Sequence, residues 1–102
     1  MKTNRALQIE PAMLAEFCRR HHIRRLALFG SVLRRDFRPD SDVDVLVEFD
    51  PGHTPGLAFF EIEEELAAIF GRHVDLVEKR SLRNPFRRRS ILKSAHTVYG
   101  HE

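Results

Sequence analysis

Between Leu28 and Phe49 the chain reads LFGSVLRRDFRPDSDVDVLVEF. An apolar strand runs into Gly30-Ser31, residues 32–41 intervene, and Asp42-Val43-Asp44 opens a second strand. Strands place residues two apart on one face, so Asp42 and Asp44 project together, with Val43, Val45 and Val47 opposite. Two carboxylates side by side repel unless a cation sits between them. Magnesium takes hard oxygen ligands, usually one or two carboxylates plus substrate phosphates. The pair therefore suits half of a metal site that a nucleotide completes. Alone, Asp-x-Asp is more often a solvated acidic turn. Phe29-Gly30-Ser31 ahead of it and an apolar strand behind it reverse that balance.

Gly30 lets a ligand approach the backbone closely. Ser31 can cap a short helical turn over Val32–Asp36, whose backbone N–H groups favour anions. No Gly-Lys-Ser/Thr is present, so this is not the lysine-bearing P-loop. A tight turn with a capping serine explains the dipeptide equally well by itself. Asp75 is the third acid of interest, because it interrupts the apolar run Val74-Asp75-Leu76-Val77 and is expensive to bury unpaired. If its strand lies beside Val43–Phe49, Asp75 joins Asp42 and Asp44 on one open face. Three carboxylates could then hold two metals for in-line displacement at phosphorus.

The remaining chain predicts a frame for these groups. Pro11 opens a helix over about 11–21, with Met13, Leu14, Phe17 and Cys18 at helical spacing. Ile23–Gly30 reads as a central strand. A helix over about 56–70 turns Phe59, Ile62, Leu66 and Ile69 inward, shows Glu61, Glu63, Glu64 and Glu65 to water, and stops at Gly71. Phe60 and Phe70 widen that stripe and suggest a partner. His73–Glu78 is a third strand, Asn84-Pro85 starts a helix to about Ala95, and His96–Tyr99 suits a short edge strand. The expected fold is a single α/β (α+β) domain over residues 1–102, with 1–10 a loose terminus. A mixed sheet of three to four strands should carry its helices mainly on one face and the acids on the other.

At 102 residues, 42% hydrophobic and 31% charged, the composition is that of one globular domain. No long apolar run or signal pattern occurs, which makes the cytosol the expected compartment. A net charge of +2 argues against stable nucleic-acid binding by the chain as a whole. Arg87-Arg88-Arg89 could meet phosphate or an acidic partner, although such runs are more often solvated helix faces. Cys18 with His21 and His22 has helical ligand spacing, but nothing else completes a closed zinc site. The histidines show no convincing spacing to the acids.

Taken together, Gly30-Ser31, Asp42-x-Asp44 and Asp75 resemble the signature of the DNA polymerase beta-like nucleotidyltransferase superfamily. Leu28-Phe-Gly-Ser31, Arg38-Pro-Asp-Ser-Asp-Val-Asp44, Gly71 and Val74-Asp-Leu-Val77 look like its minimal nucleotidyltransferase branch, over about residues 12–99. Short members of that branch are typically encoded beside a helical HEPN protein, as the antitoxin of a toxin–antitoxin pair. The resemblance implies magnesium-dependent transfer of AMP from ATP to a hydroxyl, in that branch a tyrosine of the HEPN toxin. By position, Gly30, Ser31 and Arg34 would bind the nucleotide, and Asp42, Asp44 and Asp75 would hold magnesium, two ions in the fullest version. The branch often has Gly-Ser-Arg-Ala-Arg-Gly where this chain has Gly30-Ser31-Val32-Leu33-Arg34-Arg35. Base- and acceptor-binding domains of larger relatives have no counterpart here, so a partner or a second copy would complete the site. The competing reading is a binding module that neutralises its partner without catalysis.

Overall fold

The computed structural model describes residues 10–30 and 42–100. Pro11 begins helix α1 (Pro11–Arg20), where a missing N–H costs nothing. His21 is its C-cap, and His22 takes a left-handed φ of 55° that turns the chain into strand β1 (Ile23–Phe29). Strand β2 (Val43–Phe49) pairs with β1 antiparallel, setting Ala27 against Leu46 and Phe29 against Asp44. A 3-10 turn at Gly56–Ala58 leads into helix α2 (Phe59–Phe70), which ends at Gly71 in the left-handed conformation. Strand β3 (Val74–Glu78) lies parallel to β2, and α2 is the crossover that a parallel pair requires. Helix α3 (Pro85–Ser94) and strand β4 (His96–Gly100) follow, β4 pairing antiparallel with β1. The sheet order is β3-β2-β1-β4, so it is mixed and four-stranded, as the sequence leads one to expect.

Period-two patterning divides the sheet into two faces. Leu26, Leu28, Val43, Val45, Val47, Val74 and Leu76 form one core with Leu14, Phe17 and Cys18 of α1 and Ile62, Leu66 and Phe70 of α2. Phe70 is thus a core residue rather than a partner contact, whereas Phe60 stays 65% exposed. Phe59 and Ile69 flank this core, half-buried. Burial desolvates the Cys18 thiol and pushes its pKa up to about 12, which leaves it unreactive at neutral pH. His21 bonds Glu65, His22 stacks on His53 at 3.9 Å, and no metal-holding group occurs among the described residues.

The other face carries a second core of Ala27, Phe29, Leu46, Leu82 and Ile91, with Val77, Leu92 and Ala95 packed against it. Helix α3 therefore sits on the acidic face, not with α1 and α2. Its apolar residues are too few to fill the main core, and they cover the strip just beyond the aspartates. At the far end of that strip Arg25 is 5% exposed and is held by Glu48 at 3.1 Å and Thr97 at 3.0 Å. Glu48 thus compensates the buried arginine, and Lys79 reaches the same carboxylate at 3.5 Å. No helix among the described residues is long and apolar enough to cross a membrane.

Candidate active site

Each acid is positioned by its strand's apolar face. Val43 and Val45 are fully buried, which leaves Asp44 no choice but the opposite side of β2. The same alternation, with Val74 and Leu76 buried, sends Asp75 to that side of β3. Parallel register sets Asp44 directly against Asp75. Neighbouring strands are about 4.8 Å apart, so the two residues are immediate neighbours across the ladder. Asp75 lies on the sheet's edge strand and is exposed, so it escapes the burial penalty its apolar surroundings suggest.

Gly30 closes β1 with φ +75°, beside Phe29, the register partner of Asp44. A Cβ built there would overlap Oδ2 of Asp44. The glycine is needed twice, once for its backbone angle and once for the space its missing side chain leaves to the carboxylate. Ser31 and Arg34 lie outside the described residues, as does the expected turn over Val32–Asp36.

Asp42 stands just ahead of β2, exposed, with Oδ1 3.2 Å from Nδ1 of His73. Val43 N–H donates to the His73 carbonyl at 2.9 Å, extending the β2–β3 ladder by one step. Sequence spacing did not connect any histidine with the acids, and here the structure corrects it. Once β3 is laid parallel to β2 with Val43 beside Val74, residue 73 must fall beside residue 42. That register was the missing signal.

Among the described residues no three His, Cys, Asp or Glu side chains form a metal-holding group by themselves. The donor chemistry nonetheless fits magnesium: oxygen ligands only, one or two of them from protein, with phosphates supplying others. The Asp44 carboxylate, seated against the Gly30 backbone, is the best-fixed of these donors.

A small mixed sheet with acids on neighbouring strands beside a glycine turn accords with the class the family match shows, a nucleotidyltransferase. The nucleotidyltransferase domain family matches residues 12–98, and the chain belongs to that family. The protein adenylyltransferase MntA of Thermococcus cleftensis is 44% identical over 70 residues, covering 68% of this chain and 69% of that protein. A toxin–antitoxin crystal structure with AMP-PNP shares the fold, with TM-score 0.72 and 21% identity over 92% of this chain and 76% of the other. A tri-AMPylated Shewanella oneidensis HEPN toxin in complex with an MNT antitoxin gives TM-score 0.63 and 22% identity, covering 89% and 70%. At those identities the likeness to the two solved structures is one of fold.

Proposed function

We propose that this chain transfers AMP from ATP to a hydroxyl of a partner protein, a HEPN-type toxin with tyrosine as acceptor, and so acts as its antitoxin. The observation that carries the reading is the parallel register of Asp44 with Asp75 beside Gly30. The relative named a protein adenylyltransferase and the fold shared with an MNT antitoxin bound to an AMPylated toxin support a protein acceptor of the HEPN type.

In the proposed reaction the acceptor oxygen forms a bond to the α-phosphorus, the bond from that phosphorus to the bridging oxygen breaks, and pyrophosphate leaves. Asp42 and Asp44 would hold Mg²⁺, which takes one or two carboxylates together with phosphate oxygens. Gly30 keeps the approach to the Asp44 carboxylate open, and Ser31 and Arg34 would contact phosphate. Asp75 faces Asp44 from the neighbouring strand, either as a further ligand or as acceptor of the hydroxyl proton. Bound Mg²⁺ supplies neutralisation of the charge that builds on the phosphates.

The test is incubation with α-labelled ATP, magnesium and the protein encoded beside this chain. Label should move to that protein, and chelation of divalent metal should stop it. Asp42→Ala with Asp44→Ala should lower the rate by about three orders of magnitude, given the several kcal/mol that metal-borne charge stabilisation supplies. Transfer that survives the double substitution would sink the reading. A second reading is neutralisation by binding alone, with catalysis weak or lost. Undiminished protection from the toxin by the double-alanine variant would favour it.

A further inference from the structure

From Lys79 to Gly100 the chain holds seven basic residues and neither aspartate nor glutamate. Helix α3 carries the densest part, with Arg87, Arg88, Arg89 and Lys93 all exposed and Arg83 just ahead of it. Among the described residues none of these five side chains has a hydrogen bond or ion pair. Phe86 stands among them, 83% exposed.

A merely solvated helix would arrange these charges differently. Cations in a first turn oppose the helix dipole, which favours acids there. Yet no acid occupies the first turn of α3, and Arg87 and Arg88 fall within it. Arg89 and Lys93 are four apart, a like-charge spacing that weakens a helix. The Asn84 side chain compensates by accepting from Phe86 N–H and Arg87 N–H at 2.9 and 3.1 Å. Local rules broken together in one element mark a functional surface. Exposed arginines around an aromatic are also the residue types enriched at protein interfaces.

Position adds the rest. The buried side of α3 packs on Leu46 and Val77, each two residues along its strand from Asp44 and Asp75. Helix α3 therefore lies on the same face of the sheet as the carboxylates, with its cations exposed there, while α2 and its glutamates lie on the other. We infer that α3 docks an acidic surface of the acceptor protein and thereby brings its hydroxyl to the aspartates. The inference relies on the acceptor being a protein, as proposed above. A net charge of only +2 over the whole chain favours one acidic protein patch over the backbone of a nucleic acid.

The experiment combines Arg87→Glu, Arg89→Glu and Lys93→Glu in one variant and uses the neighbour-encoded protein as ligand. Binding is read by calorimetry without ATP, and transfer by label. Affinity for that protein should fall at least about tenfold. The KM for acceptor should rise in step, while kcat and ATP affinity stay unchanged. Binding by the unaltered chain should weaken with added salt, and that of the variant should not. The milder pair Arg87→Gln with Arg89→Gln should fall between the two, which guards against a folding defect in the triple variant. Unchanged binding by the triple variant overturns the inference. So does a loss of ATP affinity, which would assign the cations to nucleotide. Preference of the unaltered chain for a short single-stranded RNA over a glutamate-rich peptide overturns it in favour of nucleic acid. Absent label transfer with charge-dependent binding intact would defeat the proposed activity and leave the docking surface standing.

Discussion

At the scale of single residues, Gly30 and Asp44 are one unit. The glycine holds a backbone angle that costs an L-residue roughly 1–2 kcal/mol, and its bare Cα leaves room for the Asp44 carboxylate. Gly30→Ala should lower stability by about that amount and also push Asp44 aside. In denaturant melts the first effect appears alone. In label transfer the second dominates, with a loss of about a hundredfold or more, because reacting groups tolerate little misplacement. A double-substitution cycle separates them: in an Asp44→Ala background Gly30→Ala should cost stability and almost no further activity. Full additivity in activity would show that the glycine acts on something other than Asp44. The sequence made both residues legible, since a strand ending in Gly-Ser and an alternating Asp-Val-Asp-Val need only period-two reasoning. His73 was illegible for the converse reason. Its place beside Asp42 depends on the pairing of two strands that stand far apart in the chain.

Among elements, β3 shows how an edge is managed. It is the outer strand on the acidic side of the sheet order, and its Leu76 N–H donates to Oε2 of Glu63 on α2 at 2.8 Å. In the sequence Glu63 reads as one of several wet-side glutamates, and its helical position gives no hint of that role. Glu63→Ala should leave a half-buried N–H unpaired, at about 1–3 kcal/mol, and open the edge to pairing with other chains. Urea denaturation and sedimentation would register the two consequences, and Glu63→Gln, which keeps an acceptor, should recover most of both. Unchanged stability in the alanine variant would mean that the bond contributes nothing. Helix α3 is the element whose placement the sequence obscured. Ile91 and Leu92 form too thin a stripe to say which face they cover, and only Leu82 ahead of them completes the second core.

For the molecule as a whole, one face of the sheet is given to stability and the other divided between site and support. Glu65 ties the stability face together, joining the end of α1 to α2 through Arg20 and through His21 at 2.9 Å. The hydrogen bond from Arg20, with a smaller part from His21, holds the Glu65 carboxyl below its ordinary value of 4.5. A carboxyl with a lowered folded-state pKa binds fewer protons folded than unfolded. Its stabilisation is complete above pH 4.5 and is lost as pH falls through the folded-state value. Glu65→Gln should therefore lower the urea midpoint slightly at neutral pH, and the gap to the unaltered chain should close as pH drops below 4.5. Arg20 is exposed and Glu65 about one third so, which makes the effect small and lets it shrink further in high salt. AMP transfer at neutral pH should not change, because the pair lies with α1 and α2, across the sheet from the aspartates. A loss of transfer in Glu65→Gln with intact stability would show that the two faces are coupled, and that the helices on the stable face help set the strand register on which Asp44 and Asp75 depend.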